Sequence, residues 1–413
     1  LKRIEKIDFS GNIYLVDNTQ TRTNMILVKP GDLVISGINV EKGALAVYEG
    51  EEDVLATIHY SSYEFDKSII DIEYLKWFLT SNIFMNILKE QVGGGIKTEL
   101  KPKKFLPLKI KLPDINLQRE IAKKINNVSN EIEVLKETNE ENYELISKLC
   151  QSILQEAVQG KLVPQDPNDE PASVLLEKIK EEKERLIKEG KIKKEKPLPP
   201  ISEDEIPYEL PKGWEWVRLG ELCELITKGS SPKWQGVNYI DNENGVLFIT
   251  SENVGNYKLI LTNKKYLEWK FNEIEPRSIL KKGDILMNIV GASIGRTAIF
   301  DLDDIANINQ AVCLIRTIET NVYRPYLLYF FNSNVCINYM YDKQVDNARA
   351  NLSMGNIAKF LIPFPPLNEQ KRIVEKVDQL MALCDELEKN IEQSKKDSEL
   401  LMQSVLQEAF KGA

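Results

Sequence analysis

The chain has 413 residues, of which 28% are charged and 42% hydrophobic, with a formal net charge of −9. That length exceeds one ordinary core and predicts two or more domains. No apolar run reaches the roughly 18 residues that cross a bilayer, which predicts a soluble, unexported, cytoplasmic chain without membrane contact. Five scattered cysteines without a CxxC pair and a single histidine, His59, argue against a zinc cluster and a disulfide framework.

In chain order, residues 1–112 hold 15 Lys+Arg against 15 Asp+Glu and predict a mixed module with the glycine-bearing loops "SGINVEKGA" and "QVGGGIKTELK". Residues 113–160 predict a long helix. Ile121, Ile125, Val128, Ile132, Leu135, Asn139, Asn142, Ile146, Leu149 and Ile153 keep the alternating 4,3 spacing of a coiled-coil seam, with the two asparagines as a polar, register-setting interruption. Residues 161–210 predict a linker with proline-rich ends, a charged helix over Ser173 to Glu189 and a solvated lysine run.

Residues 211–364 predict a second module. Its "GVLFIT", "DILMNIV", "TAIF" and "AVCLIRT" read as strands, and "YRPYLLYFFNSN" and "VCINYMYDK" as helices. Residues 365–413 repeat the long helix, with a seam through Ile373, Val377, Leu380, Cys384, Leu387, Ile391, Ser394, Ser398, Leu401 and Val405. At 1.5 Å per residue such helices reach roughly 65 to 70 Å.

An offset of 252 unites these parts. "QSILQEAVQGK" from Gln151 returns as "QSVLQEAFKGA" from Gln403, and residues 113–160 share 15 identities in 48 ungapped positions with their second copy. "KPGDLVIS" meets "KKGDILMN" and "YLKWFLTSN" meets "YLLYFFNSN" in the same register. The chain is therefore a tandem duplication of an α+β module followed by a helical arm. Two arms in one chain predict intramolecular antiparallel pairing about an approximate two-fold axis. The offset carries residues 211–252 to positions before residue 1, so about 42 residues of the second module are expected to lack a counterpart.

Catalytic motifs are missing. "GASIGR" has no GK[ST] and is not a phosphate-binding loop, and no glycine-rich cofactor loop or [DN]PP[FY] tetrapeptide occurs. His59 falls opposite Ala311 in the repeat and reads as structural, and Asp303 and Asp304 read as a solvated turn. The polar loops "TKGSSPKWQG", "GASIGRT" and "QVDNARANLSMGN" carry the residue types that meet phosphates and base edges. Candidate DNA-binding residues are Lys228, Ser230, Ser231 and Lys233, then Ser293 and Arg296, then Asn347, Arg349 and Asn351, with Gly94, Lys97 and Thr98 in the first copy.

"LPKGWEWVRLGELCELITKGSSP", "FLIPFPPLNEQKRIVEKV" and the stretch from "QEAVQGKLVPQDPNDEPASVLL" to "KPLPPI" resemble the DNA specificity subunits of type I restriction-modification systems. The resemblance implies two target-recognition domains, each reading half of a split sequence in double-stranded DNA, with antiparallel helices setting the gap. It implies a chain without catalysis or cofactor of its own. Two methyltransferase subunits carrying S-adenosylmethionine would dock on the helices, where Gln118, Ile121, Gln370 and Ile373 are the candidate contacts, and nuclease-translocase subunits would join them. A coiled-coil adaptor whose modules bind protein is the alternative.

Overall fold

A computed structural model of the chain describes residues 1–8, 11–17, 23–37, 44–92, 106–241, 243–342 and 352–411. Contacts divide it into two compact units, residues 1–143 with 388–413, and residues 144–387. Each unit joins one module to the near half of one long helix and the far half of the other, so the division cuts both helices in mid-length.

The first unit opens with β1 (Arg3–Ile7), β2 (Ile13–Val16), β3 (Met25–Val28), β4 (Leu33–Ser36), β5 (Leu45–Val47), β6 (Val54–Thr57) and β7 (Tyr60–Tyr63). They form one sheet in the order β2-β1-β6-β3 and another in the order β5-β4-β7. α1 (Ile72–Thr80) and α2 (Asn82–Val92) follow, then α3 (Ile115–Val158).

The second unit holds α4 (Ala172–Lys188), β8 (Glu215–Arg218), β9 (Cys223–Lys228), β10 (Tyr239–Ile240), β11 (Val246–Ile249), β12 (Tyr266–Leu267) and α5 (Lys270–Ile274). It continues with β13 (Ile285–Asn288), β14 (Thr297–Ile299), β15 (Ala306–Ile308), β16 (Val312–Thr317), α6 (Arg324–Asn332), α7 (Asn334–Asp342), α8 (Met354–Ala358), β17 (Leu361–Phe364) and α9 (Leu367–Ala409). Its sheets run β10-β12-β11-β15, β14-β13-β16-β9 and β17-β8.

The 252-residue offset is legible down to single bonds. α6 begins and ends 252 residues after α1. Leu33 pairs with Val47 and Tyr63 as Ile285 pairs with Ile299 and Ile315. The Asp32 carboxylate accepts from the Lys29 amide at 2.9 Å, and Asp284 from the Lys281 amide at 2.6 Å. Ser81 and Ser333 close α1 and α6 with the same 2.6 Å hydroxyl bond to the carbonyls of Phe78 and Phe330.

The register changes only near the start. β1 pairs in parallel with β6, Arg3 opposite Leu55, as β11 pairs with β15, Leu247 opposite Ala306. β1 thus takes the place of β11, which lies within the span expected to have no counterpart. The expected gap of about 42 residues is correspondingly too wide. Among the described residues, β8 and β9 have no equivalents in the first unit, so its second sheet has three strands where the later one has four.

Each long helix is joined to its module by a buried glutamine. Gln118 is fully buried; its carbonyl accepts from the Asp71 amide at 2.9 Å, and its amide donates to the carbonyls of Ile69 and Pro113, both at 2.9 Å. Gln370 accepts from the Tyr323 amide at 3.0 Å and donates to the Pro365 carbonyl at 2.9 Å. Each side chain satisfies backbone groups at the start of α1 or α6 and at the turn into its own helix, groups that would otherwise be buried unpaired.

In the first unit α3 and α9 run antiparallel. Ala122 and Ile125 share a core with Met402, Val405, Leu406 and Phe410, while Asn139 donates to the Ser394 hydroxyl at 3.1 Å. The Phe410 ring meets Tyr74 and Phe78 edge-on, with centroids 5.2 and 5.4 Å apart. In the second unit Gln151 accepts from the Asn334 amide at 3.0 Å, and Val158, 252 residues before Phe410, is fully buried. The repeated "QSILQEAV" and "QSVLQEAF" therefore each lie in the unit of the other copy's module.

The seam is narrower than its heptads predict. Ile125, Ile132, Asn139, Ile146 and Ile153 are buried at seven-residue spacing, as are Val377, Cys384, Ile391 and Ser398. Of the intervening positions, Leu135, Asn142, Leu149, Leu387 and Leu401 are exposed, Ile121, Val128, Leu380 and Ser394 are half-buried, and Ile373 is buried. One line of side chains per heptad is buried up to the half-buried Val405, and the flanking line is exposed over part of its length.

The segment expected as a linker is held fast at its second end. The buried Arg218 donates to the carbonyls of Pro199 (2.6 Å), Pro200 (3.0 Å) and Lys359 (3.0 Å), and to the Glu205 carboxylate (2.8 Å). That guanidinium, helped by Ser202, lowers the Glu205 pKa to about 2. Among the described residues no helix is long and apolar enough to cross a membrane.

Replacing Gln370 by Ala is expected to destabilise the chain by about 1–3 kcal/mol, read by urea unfolding, because buried backbone groups lose their partners. Glu205 is depressed in the folded state, so its pairing stabilises above the ordinary value of 4.5 and is lost as pH falls toward about 2. The melting midpoint is therefore expected to drop across that window, and less steeply in Glu205→Gln.

Candidate nucleic-acid interface

Strand register in the second unit gathers several loops at one edge of the β14-β13-β16-β9 sheet. Cys313 is opposite both Met287 and Lys228, Asn288 is opposite Val312, and Met287 is opposite Thr297. The ends of β9 and β13 and the starts of β14 and β16 consequently coincide. The segments 229–237, 289–296 and 309–311 all emerge there, and Leu352 returns to the same edge by donating to the Ile289 carbonyl at 3.1 Å.

The first of these segments is built rather than loose. A Cβ on Gly229 would lie 1.8 Å from the Ile308 carbonyl oxygen, so only glycine lets the chain pass β15 this closely. The Trp234 amide donates to the Ser231 carbonyl at 3.1 Å and the Val237 amide to that of Pro232 at 3.0 Å. Gln235 donates to the Ser230 hydroxyl at 3.0 Å and to Glu275 at 2.8 Å. Val237 is buried with Phe248, Leu267 and Phe271.

Lys228 and Lys233 are exposed, and Ser230 and Ser231 half-buried. The 289–296 loop turns on Gly291 and Gly295, with φ of 74° and 89°. It presents an exposed Arg296, whose amide donates to the Ser293 carbonyl at 3.2 Å. Beneath it Asn288, fully buried, donates to the Ser251 carbonyl at 2.9 Å and so ties β13 to the turn after β11.

The structure thus brings Lys228, Ser230, Ser231, Lys233, Ser293 and Arg296 to one sheet edge. Asn347, Arg349 and Asn351, with Gly94, Lys97 and Thr98 of the first copy, lie outside the described residues. Two features of the edge escaped sequence reasoning. Gly229 is required by close backbone approach, and Trp234 stands exposed in the first segment. An aromatic inside a Lys/Ser/Gly stretch between two strands was the available signal.

The expected partner contacts need correction. Gln118, Gln370 and Ile373 are fully buried within the chain and Ile121 packs against the first unit's core, and the two glutamines serve the junctions between helices and modules. The exposed large apolar residues of the same helices are Leu117, Val134, Leu135, Tyr143, Leu400 and Leu401 in one unit, and Leu145, Leu149, Leu383 and Leu387 in the other.

His59 is exposed on the turn between β6 and β7 rather than structural in a core, and Asp303 accepts from Lys282 at 2.9 Å on the surface. Among the described residues no group of three His, Cys, Asp or Glu side chains could hold a metal ion. Buried Cys223 is pushed up to about 12 by desolvation, which removes any nucleophilic thiolate there near neutral pH.

Residues 211–394 match the family model described as the type I restriction modification DNA specificity domain. The EcoAI specificity subunit of Escherichia coli is 35% identical over 272 residues, which cover 64% of this chain and 44% of that protein. The EcoEI specificity subunit, also of Escherichia coli, is 35% identical over 272 residues, 64% of this chain and 45% of that protein. The chain thus spans less than half the length of these two relatives. The EcoKI specificity subunit of Escherichia coli strain K12 is 23% identical over 416 residues, 96% of this chain and 80% of that one.

A chain solved in work on complex assembly and conformational transition of the type I R-M system superposes with a TM-score of 0.68 at 19% identity. The match covers 100% of this chain and 91% of that chain. The HsdS subunit of Thermoanaerobacter tengcongensis gives 0.56 at 19% identity, over 99% and 89%. At that identity the structural likeness shows the fold.

Gly229→Ala is expected to cost about 1–3 kcal/mol in urea unfolding, because the added methyl forces the loop off the Ile308 carbonyl.

Proposed function

We propose that the chain is a type I restriction-modification DNA specificity subunit, the non-catalytic component that recognises a bipartite target in double-stranded DNA. The observation that carries this reading is the single sheet edge where Lys228, Lys233 and Arg296 are exposed beside Ser230, Ser231 and Ser293. Cations placed by a rigid sheet suit phosphates, and small polar side chains between them suit base edges. The first module, with the same strand register in β4, β5 and β7, would read the other half with its own loops.

The exposed leucines of α3 and α9 are the docking surface we assign to methyltransferase subunits. Lone exposed leucines are ordinary, but several on the two long helices of each unit suit partner helices. Those subunits would carry S-adenosylmethionine and the chemistry, and nuclease-translocase subunits would join the same assembly. Helix length would set the spacer between half-sites. The modest charge of the modules agrees with partners supplying much of the phosphate affinity.

The test is selection from random duplexes by the chain assembled with methyltransferase subunits. A two-part motif is expected; a pool without sequence preference would reject the reading and favour a protein-binding adaptor. Lys228→Ala and Arg296→Ala should each flatten the dependence of log K on log salt by about one. Arg349→Ala is expected to relax one half-site alone, and equal loss at both would assign it to assembly.

A further inference from the structure

The Trp234 side chain is left in solvent. Its indole is 78% exposed, whereas Trp214 is buried and Trp77 is part-buried with its ring nitrogen donating to Asn126 at 2.6 Å. Trp269 is half exposed, but its ring nitrogen donates to the Asn244 carbonyl at 2.8 Å. Trp234 is the most exposed large apolar side chain among the described residues. Large aromatics are otherwise drawn into cores, where their area is removed from water.

The mount is as informative as the exposure. Gly229 locks one end of the loop against β15, and Val237 anchors the other among Phe248, Leu267 and Phe271. The Trp234 amide is held by the Ser231 carbonyl, and Gln235 beside it is fastened to Ser230 and Glu275. The indole therefore cannot escape water by loop collapse. The exposed Lys233 precedes it directly, and the exposed Lys228 ends the strand from which the loop springs.

An exposed aromatic directly after an exposed lysine on a fixed turn suits a polyanion that also offers apolar surface. In the major groove the apolar feature of a base pair is the thymine C5 methyl group. We propose that Trp234 is a specificity-determining contact of the second module, laying its indole against a thymine methyl while Lys228 and Lys233 hold the flanking phosphates. The inference rests on the DNA-recognition reading above and adds the residue and the base it reads.

The experiment uses the full chain assembled with methyltransferase subunits. The unaltered assembly is first used to select its motif, and binding is then compared for Trp234→Ala and Trp234→Phe on that duplex and on duplexes with single thymines replaced by uracil. Trp234→Ala should weaken binding by roughly tenfold, within the usual cost of one mismatched pair, and should lose preference at one position of one half-site. Phe should retain part of both. Uracil at that thymine should weaken the unaltered assembly and add nothing to the loss already present in Trp234→Ala.

Unchanged binding and preference in Trp234→Ala would overturn the proposal, as would additive losses from uracil and the substitution. Reduced assembly with methyltransferase subunits and an intact motif would overturn it too, and would place the indole at a protein interface. If the unaltered assembly selects no motif, the DNA-recognition reading itself fails, a result distinct from any of these. The melting midpoint of Trp234→Ala should stay unchanged, because the ring touches no core.

Discussion

A buried carboxamide at the first turn of each long helix holds module and helix together. Gln118 and Gln370 each spend both ends of the amide on backbone groups, so the joint is specified by hydrogen-bond direction as well as by packing. Hydrophobic contact alone would let a helix slide or rotate against its module. A side chain that donates to the turn before the helix and accepts from the start of α1 or α6 sets the angle at which the module is carried. Within each unit the sheets keep their orientation to the helix only if that junction holds.

Much of this architecture was legible in the sequence because duplication printed it twice. α1 and α6 were visible as "YLKWFLTSN" and "YLLYFFNSN", and the long helices from their heptads. The sequence reading placed strands in the second module alone, and the ones it missed there were β8, β9, β10, β12, β15 and β17. β10 and β12 are two residues each, β15 is "ANI", and β17 contains Pro363 and exists as a strand because it pairs with β8. Their conformation comes from tertiary partners, which periodicity does not record.

The same limit explains the partner contacts. Glutamine and isoleucine at the start of a helix gave no sign of which neighbour they face, and both faced inward. A 4,3 repeat likewise names two candidate lines per heptad without saying which one the chain keeps for itself. The line of Ile125, Ile132, Asn139, Ile146 and Ile153 is buried throughout, and of the other line Leu135, Leu149, Leu387 and Leu401 are left exposed. Within the buried line, Asn139 meets Ser394, a polar pair that penalises a shifted register more than an apolar pair would.

Phe410 packs on Tyr74 and Phe78, more than three hundred residues earlier. On a ribosome that core stays open until residue 410 has been made, while the second module can close around its own sheets as it emerges. The first module is then completed after the second, and the rings of Tyr74 and Phe78 wait for their partner in the interval. Chaperone dependence in the cell should accordingly track the arrival of that single phenylalanine.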